Sequence, residues 1–184
     1  DAESGKVLHD LKLFEVYQPQ YTHPTNSYGS CTPWIEEGRI YVHFGTYGTA
    51  CVDTKTGKKL WERTDIECHH WRGPGSSVVV HGDLLFLSFD GYDKQFIIAL
   101  NKHTGKTVWK KDRDIDYGTD NGDRKKAYGT VTVVEAGGRD LVVSPFAMAT
   151  IAYDSRDGDP VWTVYHGGMN AAARPIAGHG FVYI

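Results

Sequence analysis

Apolar residues in this chain gather in short runs broken at regular intervals by turn-forming residues, and no stretch carries the 3.6-residue spacing of an amphipathic helix. The segments "TPWIEEGRIYVHF" (32–44), "SVVVHGDLLFLSF" (77–89) and "VTVVEAGGRDLVVS" (131–144) each hold two β-rich runs, parted by Glu-Glu-Gly, His-Gly-Asp or Gly-Gly-Arg. Such a pair predicts an antiparallel hairpin. A second hairpin follows in each case, since "TACVD" leads to "KKLWER" and "FIIALN" to "KTVWKK". The unit is therefore four short strands, A to D, in about 50 residues.

The second hairpin is also a repeated sentence. "TKTGKKLW", "KHTGKTVW" and "SRDGDPVW" stand at 54–61, 102–109 and 155–162, and a weaker copy, "AESGKVLH", at 2–9. The shared pattern is small-x-[Asp/Asn]-x-x-x-Gly-x-x-x-Trp. It is filled by Asp53, Gly57 and Trp61, by Asn101, Gly105 and Trp109, and by Asp154, Gly158 and Trp162. Gly supplies the positive φ of the turn, Asp or Asn bonds its backbone N–H groups, and the Trp packs against the neighbouring repeat. In the first copy His9 replaces the Trp, an ordinary drift of the repeat.

Four-stranded units repeated at this length predict an all-β propeller. Residues 1–16 then end one blade, 28–63, 72–111 and 128–164 make three whole blades, and 171–184 begin the next. The expected architecture is a partial arc of a larger ring of seven or eight blades. A four-bladed ring closed by both termini ranks below it, because its composite blade has no C strand.

The motif A-x-D-x-x-T-G-K-x-x-W resembles the tryptophan-docking repeat of the pyrroloquinoline-quinone (PQQ) propeller superfamily. That superfamily includes the quinoprotein alcohol dehydrogenases and the outer-membrane assembly lipoproteins. The stretch "RGPGSSVVVHGDLLFLSFDGYDKQFIIALNKHTGKTVWK" is similar to planctomycete-type envelope proteins with PQQ-like repeats. The resemblance implies a non-catalytic binding or assembly scaffold in a periplasmic or otherwise extracytoplasmic setting. The alternative it implies is a fragment of a PQQ-dependent alcohol or sugar dehydrogenase. That reading needs a vicinal Cys-Cys pair, a Ca²⁺ site of Glu, Asn and Asp, and a catalytic Asp. No Cys-Cys pair occurs, so no PQQ, Ca²⁺ or other cofactor is expected outside the alternative, and no catalytic or metal-ligating residue is assigned.

Composition narrows the partners. With 20 Lys and Arg against 23 Asp and Glu, the net charge of −3 offers no basic face for nucleic acid. No apolar run is long enough to span a membrane. Cys31, Cys51 and Cys68 lack metal-site spacing, and Cys51 fills the small-residue slot of the repeat.

Strand alternation places the B–C and D–A connections on one face. These connections vary between repeats, as function-bearing loops do: "ECHHWRGPG" (67–75), "DIDYGTDNGDRKKAYG" (114–129) and "YHGGMNAAAR" (165–174). The candidate face for a protein or polar ligand comprises His69, His70, Arg72, Asp120, Asn121, Asp123, His166, Asn170 and Arg174. Two outcomes compete there. Arg72 and Arg174 clasp an anion near the axis, or they pair with the aspartates and are structural.

Overall fold

The computed structural model describes residues 1–184, and its strands follow the four-strand unit. The first blade holds β1 (Trp34–Glu36), β2 (Arg39–His43), β3 (Thr49–Asp53) and β4 (Lys59–Arg63). The second holds β5 (Val79–His81), β6 (Leu84–Asp90), β7 (Gln95–Asn101) and β8 (Thr107–Asp112). The third holds β9 (Thr132–Ala136), β10 (Arg139–Pro145), β11 (Ala149–Asp154) and β12 (Pro160–Tyr165). A two-stranded hairpin follows, β13 (Ile176–Gly178) with β14 (Phe181–Tyr183). Every sheet is an antiparallel meander in sequence order, so the architecture is an arc of a propeller.

The small residue of the repeat has a register reason. Cys51, Ala99 and Ala152 lie directly opposite Trp61, Trp109 and Trp162, and each pairing is followed by a bulge. A bulky residue there would push the indole off its own sheet. The glycine does two jobs. Gly105 and Gly158 have φ of 71° and 75°, and a Cβ on either would come within 2.6 Å of Trp61 or Trp109 from the blade before. Each indole also caps the turn it covers: Trp61 Nε1 donates to Lys102 O at 2.8 Å and Trp109 Nε1 to Ser155 O at 2.9 Å. The core accordingly lies in the seams between blades, with one cluster around Leu85, Leu87 and Phe89 and another around Phe86, Trp109 and Phe146.

The C-terminal flank is the two-stranded start of a blade, whereas the N-terminal flank, expected to end one over 1–16, has no strand. Residues 1–33 form no strand, because no sheet among residues 1–184 offers that segment a ladder partner. His9 nevertheless does the work of a docking Trp. Its Nε2 lies 3.1 Å from Thr54 O, the carbonyl equivalent to Lys102 O and Ser155 O. Its ring also lies over Gly57. A carbonyl only accepts, so Nε2 carries the proton. Trp162, on the other flank, packs against the cluster of Leu141, Val143 and Ala152 and is half-buried without an indole bond. Phe181 and Tyr183 stay exposed there.

Candidate functional site

Segments preceding the first strands of successive blades meet one another. Thr32 N donates to Ser77 Oγ at 2.9 Å, Ser77 N to Thr130 Oγ1 at 2.9 Å, and Thr132 Oγ1 to Pro175 O at 2.6 Å. These bonds join positions more than 40 residues apart and gather the D–A connections around the propeller axis.

Connection 67–75 is rigidly held. His69 N donates to Asp93 Oδ1 (2.7 Å), Tyr92 N donates to His69 O (2.7 Å), and His70 N donates to Gln20 Oε1 (3.0 Å). The His70 ring leaves the face expected for it. It is buried in the first seam, where Nε2 accepts from Thr46 N at 3.0 Å. Burial pulls its pKa down to about 4, which keeps it neutral. His43, beside it, accepts or donates at Thr49 Oγ1 (2.8 Å) and is pulled down to about 3 by burial and by His70. The His69 ring packs against both Trp71 and Tyr92, whose own rings stack 5.2 Å apart. Trp71 is left-handed, with φ 65°, and this kink turns Arg72 the other way. Arg72 O accepts from Asn26 Nδ2 at 2.9 Å. Its guanidinium meets no carboxylate and no hydrogen-bond acceptor, and it lines a cavity of about 350 Å³ with Tyr128 and His23.

Connection 113–131 spends its acidic groups locally. Asp116 Oδ1 accepts from Gly118 N at 2.8 Å, and Asn121 Oδ1 from Asp123 N at 3.0 Å. Asp120 is exposed. Asp123 forms an ion pair with Lys126, whose pull holds its carboxyl below the usual range. Lys126 is fully buried and also donates to Asn170 Oδ1 at 2.6 Å, tying this connection to the next. Asn170 is thus a structural clasp. His166 Nδ1 accepts from Gly168 N (3.3 Å), and its Nε2 approaches Thr150 Oγ1 (3.4 Å). Arg174 Nε donates to Thr132 Oγ1 at 3.1 Å. Neither arginine of the pair pairs with an aspartate. Asp123 and Asn170 come together through Lys126, with Arg72 close enough to lower the Asp123 pKa further; His166 and Arg174 line a separate cleft.

Sequence reasoning passed over two residues. Lys126 sits in the charged run "DRKK", with no periodicity to mark it as buried. Arg113 is wholly buried in the second seam. It donates from Nε to Asp90 Oδ1 (2.9 Å), from Nη1 to Tyr153 Oη (3.0 Å) and from Nη2 to Ser144 Oγ (2.7 Å), with Phe146 under its plane. Its one sequence signal is its place just past a docking-Trp strand.

With this geometry established, the comparisons place the chain. The family model of the outer membrane protein assembly factor BamB matches residues 1–184. The chain belongs to that family. Among curated relatives, this BamB-family chain is 39% identical over 82 residues to quinoprotein alcohol dehydrogenase PedH of Pseudomonas putida, covering 43% of this chain and 13% of that one. It is 37% identical over 83 residues to a quinoprotein ethanol dehydrogenase of Pseudomonas aeruginosa, covering 42% and 12%. The chain thus spans about an eighth of the length of these relatives. Among solved structures, BamB from Moraxella catarrhalis superposes with a TM-score of 0.57 at 17% identity, over 84% of this chain and 42% of that one. A quinohemoprotein alcohol dehydrogenase from Comamonas testosteroni superposes at 0.56 and 20% identity, over 74% and 21%. Those two likenesses establish the shared propeller fold.

All three cysteines are buried free thiols, none beside another in sequence. Burial pushes Cys31 up to about 12 and raises Cys51 and Cys68 as well, so none is a ready nucleophile. No three His, Cys, Asp or Glu side chains converge. No helix is long and apolar enough to cross a membrane.

Proposed function

We propose that this chain is part of a non-catalytic PQQ-repeat propeller, a binding or assembly scaffold of the bacterial envelope whose partner surface is the D–A face. The observation that carries this reading is the match of the outer membrane protein assembly factor model to the entire chain. The D–A face adds to it, because its connections are locked by Lys126, His70 and Asn26 while Trp71 and Arg72 remain accessible. Exposed Trp and Arg on a pre-organised backbone are what protein-binding hot spots are made of. Extracytoplasmic placement, and a protein or polar ligand as partner, follow from the family on this reading. No PQQ or Ca²⁺ is needed for it.

The curated relatives favour a second reading, a segment of a quinoprotein dehydrogenase. One experiment separates the two. The protein is incubated with PQQ and Ca²⁺, dialysed, and examined for quinone absorbance and ethanol-dependent dye reduction. The scaffold reading expects neither. Stoichiometric quinone that survives dialysis overturns it.

A further inference from the structure

Lys126 is the only buried lysine of the chain, and a lysine is seldom taken wholly out of water. Its amine has three neighbours. Nζ donates to Asp123 O at 3.0 Å and to Asn170 Oδ1 at 2.6 Å, and it pairs with the Asp123 carboxylate. Asp123 Oδ1 is itself shut off from solvent, with that ammonium as its counter-ion. Main-chain bonds fix the participants side by side: Asn170 N donates to Lys126 O at 3.2 Å, Tyr128 N to Ala171 O at 2.7 Å, and Lys126 N to Gly122 O at 3.2 Å. An amine, a carboxylate and a side-chain amide therefore meet around one buried nitrogen. The ion pair needs only the first two. The amide carbonyl is the member that a simple ion pair does not explain.

We propose that Lys126 and Asn170 join in an isopeptide bond, with Asp123 as the proton carrier, so that connections 113–131 and 165–174 become covalently stapled. Asp123 first takes a proton from the Nζ ammonium, which removes two charges from the interior. The freed lone pair attacks Asn170 Cγ, the carbon one bond beyond the oxygen that Nζ already touches. The Cγ–Nζ bond forms and the Cγ–Nδ2 bond breaks. Asp123 hands its proton to the departing Nδ2 and takes the next one from Nζ, and the released ammonia carries that proton away as ammonium. No oxidant, metal or cofactor enters. Asp123 does not compete as the electrophile, because an ionised carboxylate resists attack by an amine, and Lys126 and Arg72 hold it ionised. Exchange of this kind is very slow between free groups, but fixing the reactants in contact supplies effective molarities on the order of 10⁵ M or more. The product is a permanent tie across the D–A face, whatever that face binds.

The test is the intact mass of the folded chain, measured after overnight incubation at neutral pH and then denaturation, followed by protease digestion and fragment sequencing. The chain is expected to be lighter than its sequence by one ammonia. One branched peptide should join the stretch around Lys126 to the stretch around Asn170. The branched peptide decides, because a succinimide at Asn121-Gly122 also sheds one ammonia. Lys126→Arg, Asn170→Ala and Asp123→Asn should each restore the full sequence mass. Asp123→Asn keeps the amine and its amide partner, so its failure to link isolates the proton carrier. The wild-type mass needs no variant to fold. Full sequence mass in the wild-type chain, or ammonia lost without the branched peptide, overturns the bond. A loss of water that links Lys126 to Asp123 overturns the choice of Asn170. Equal yields of branched peptide in wild type and Asp123→Asn overturn the role of Asp123.

Discussion

The seam between the first and second blades and the seam between the second and third are written with the same repeat, yet they bury their polar groups in opposite ways. In the first, Trp61 is half-buried, and the centre holds two neutral imidazoles, His43 and His70, both against Phe89. In the second, Trp109 is buried, and the centre holds the Arg113–Asp90 ion pair, its remaining donors met by Ser88, Ser144 and Tyr153. The docking motif therefore sets the spacing of the blades, while positions outside it choose how each seam satisfies its interior. A neutral pair is cheap to bury and loses its advantage in acid. A charged pair fails badly when one partner is removed, and burial raises the Asp90 carboxyl against the pull of Arg113.

The largest expected break in this comparison is Arg113→Met. It strands the Asp90 carboxylate in a fully buried site, and the urea midpoint should fall by an amount equivalent to about 3–5 kcal/mol. Adding Asp90→Leu should recover most of that loss. A double variant as unstable as the single one would mean that the ion pair is not what closes the seam.

Docking groups come next. Trp109→Ala should cost about 3–5 kcal/mol, Trp61→Ala less, and His9→Ala about 1 kcal/mol or under. The order follows burial, with Trp109 buried, Trp61 half-buried and His9 exposed. Equal denaturant midpoints for Trp109→Ala and His9→Ala would remove the distinction between a seam and a flank.

Acid should sharpen the contrast. His43 and His70 titrate near 6.5 in an unfolded chain but are pulled to about 3 and about 4 in the fold. As pH falls below about 6.5 the unfolded state takes up these protons first, so stability declines from there towards pH 4. The decline is on the order of 3 kcal/mol for His70 alone, with Asp93 opposing it and His69 adding to it. A His43→Phe, His70→Gln variant should show a flatter melting temperature between pH 7 and 4. An unchanged slope would move the acid sensitivity elsewhere. Hydrogen exchange should then show the first blade opening before the third.

The smallest effect is expected at His9→Trp. A Trp restores the motif, yet the segment around it has no strand to pair with, so a gain of well under 1 kcal/mol is expected, read from the thermal midpoint.

From the sequence alone came the all-β class, the four-strand unit, its period and the docking role of Trp61 and Trp109, because all of these are local or periodic. A turn needs its glycine within a few residues, and a repeat announces itself by recurrence. That the D–A connections meet on one face was also legible, since strand alternation is topological. What each residue does on that face was not. His70 and Lys126 are polar letters in polar loops, and only the packing of connections more than 20 residues apart shows one turned into a seam and the other clasping Asp123 to Asn170. His9 read as drift until Thr54 O appeared 45 positions away to receive its proton. Arg72 and Arg174 were open to pairing or to freedom, and tertiary structure decided it by giving Asp123 another cation. Hydrogen bonds and ion pairs are contracts between positions remote in the chain, and a single sequence records the signatories without recording which of them meet.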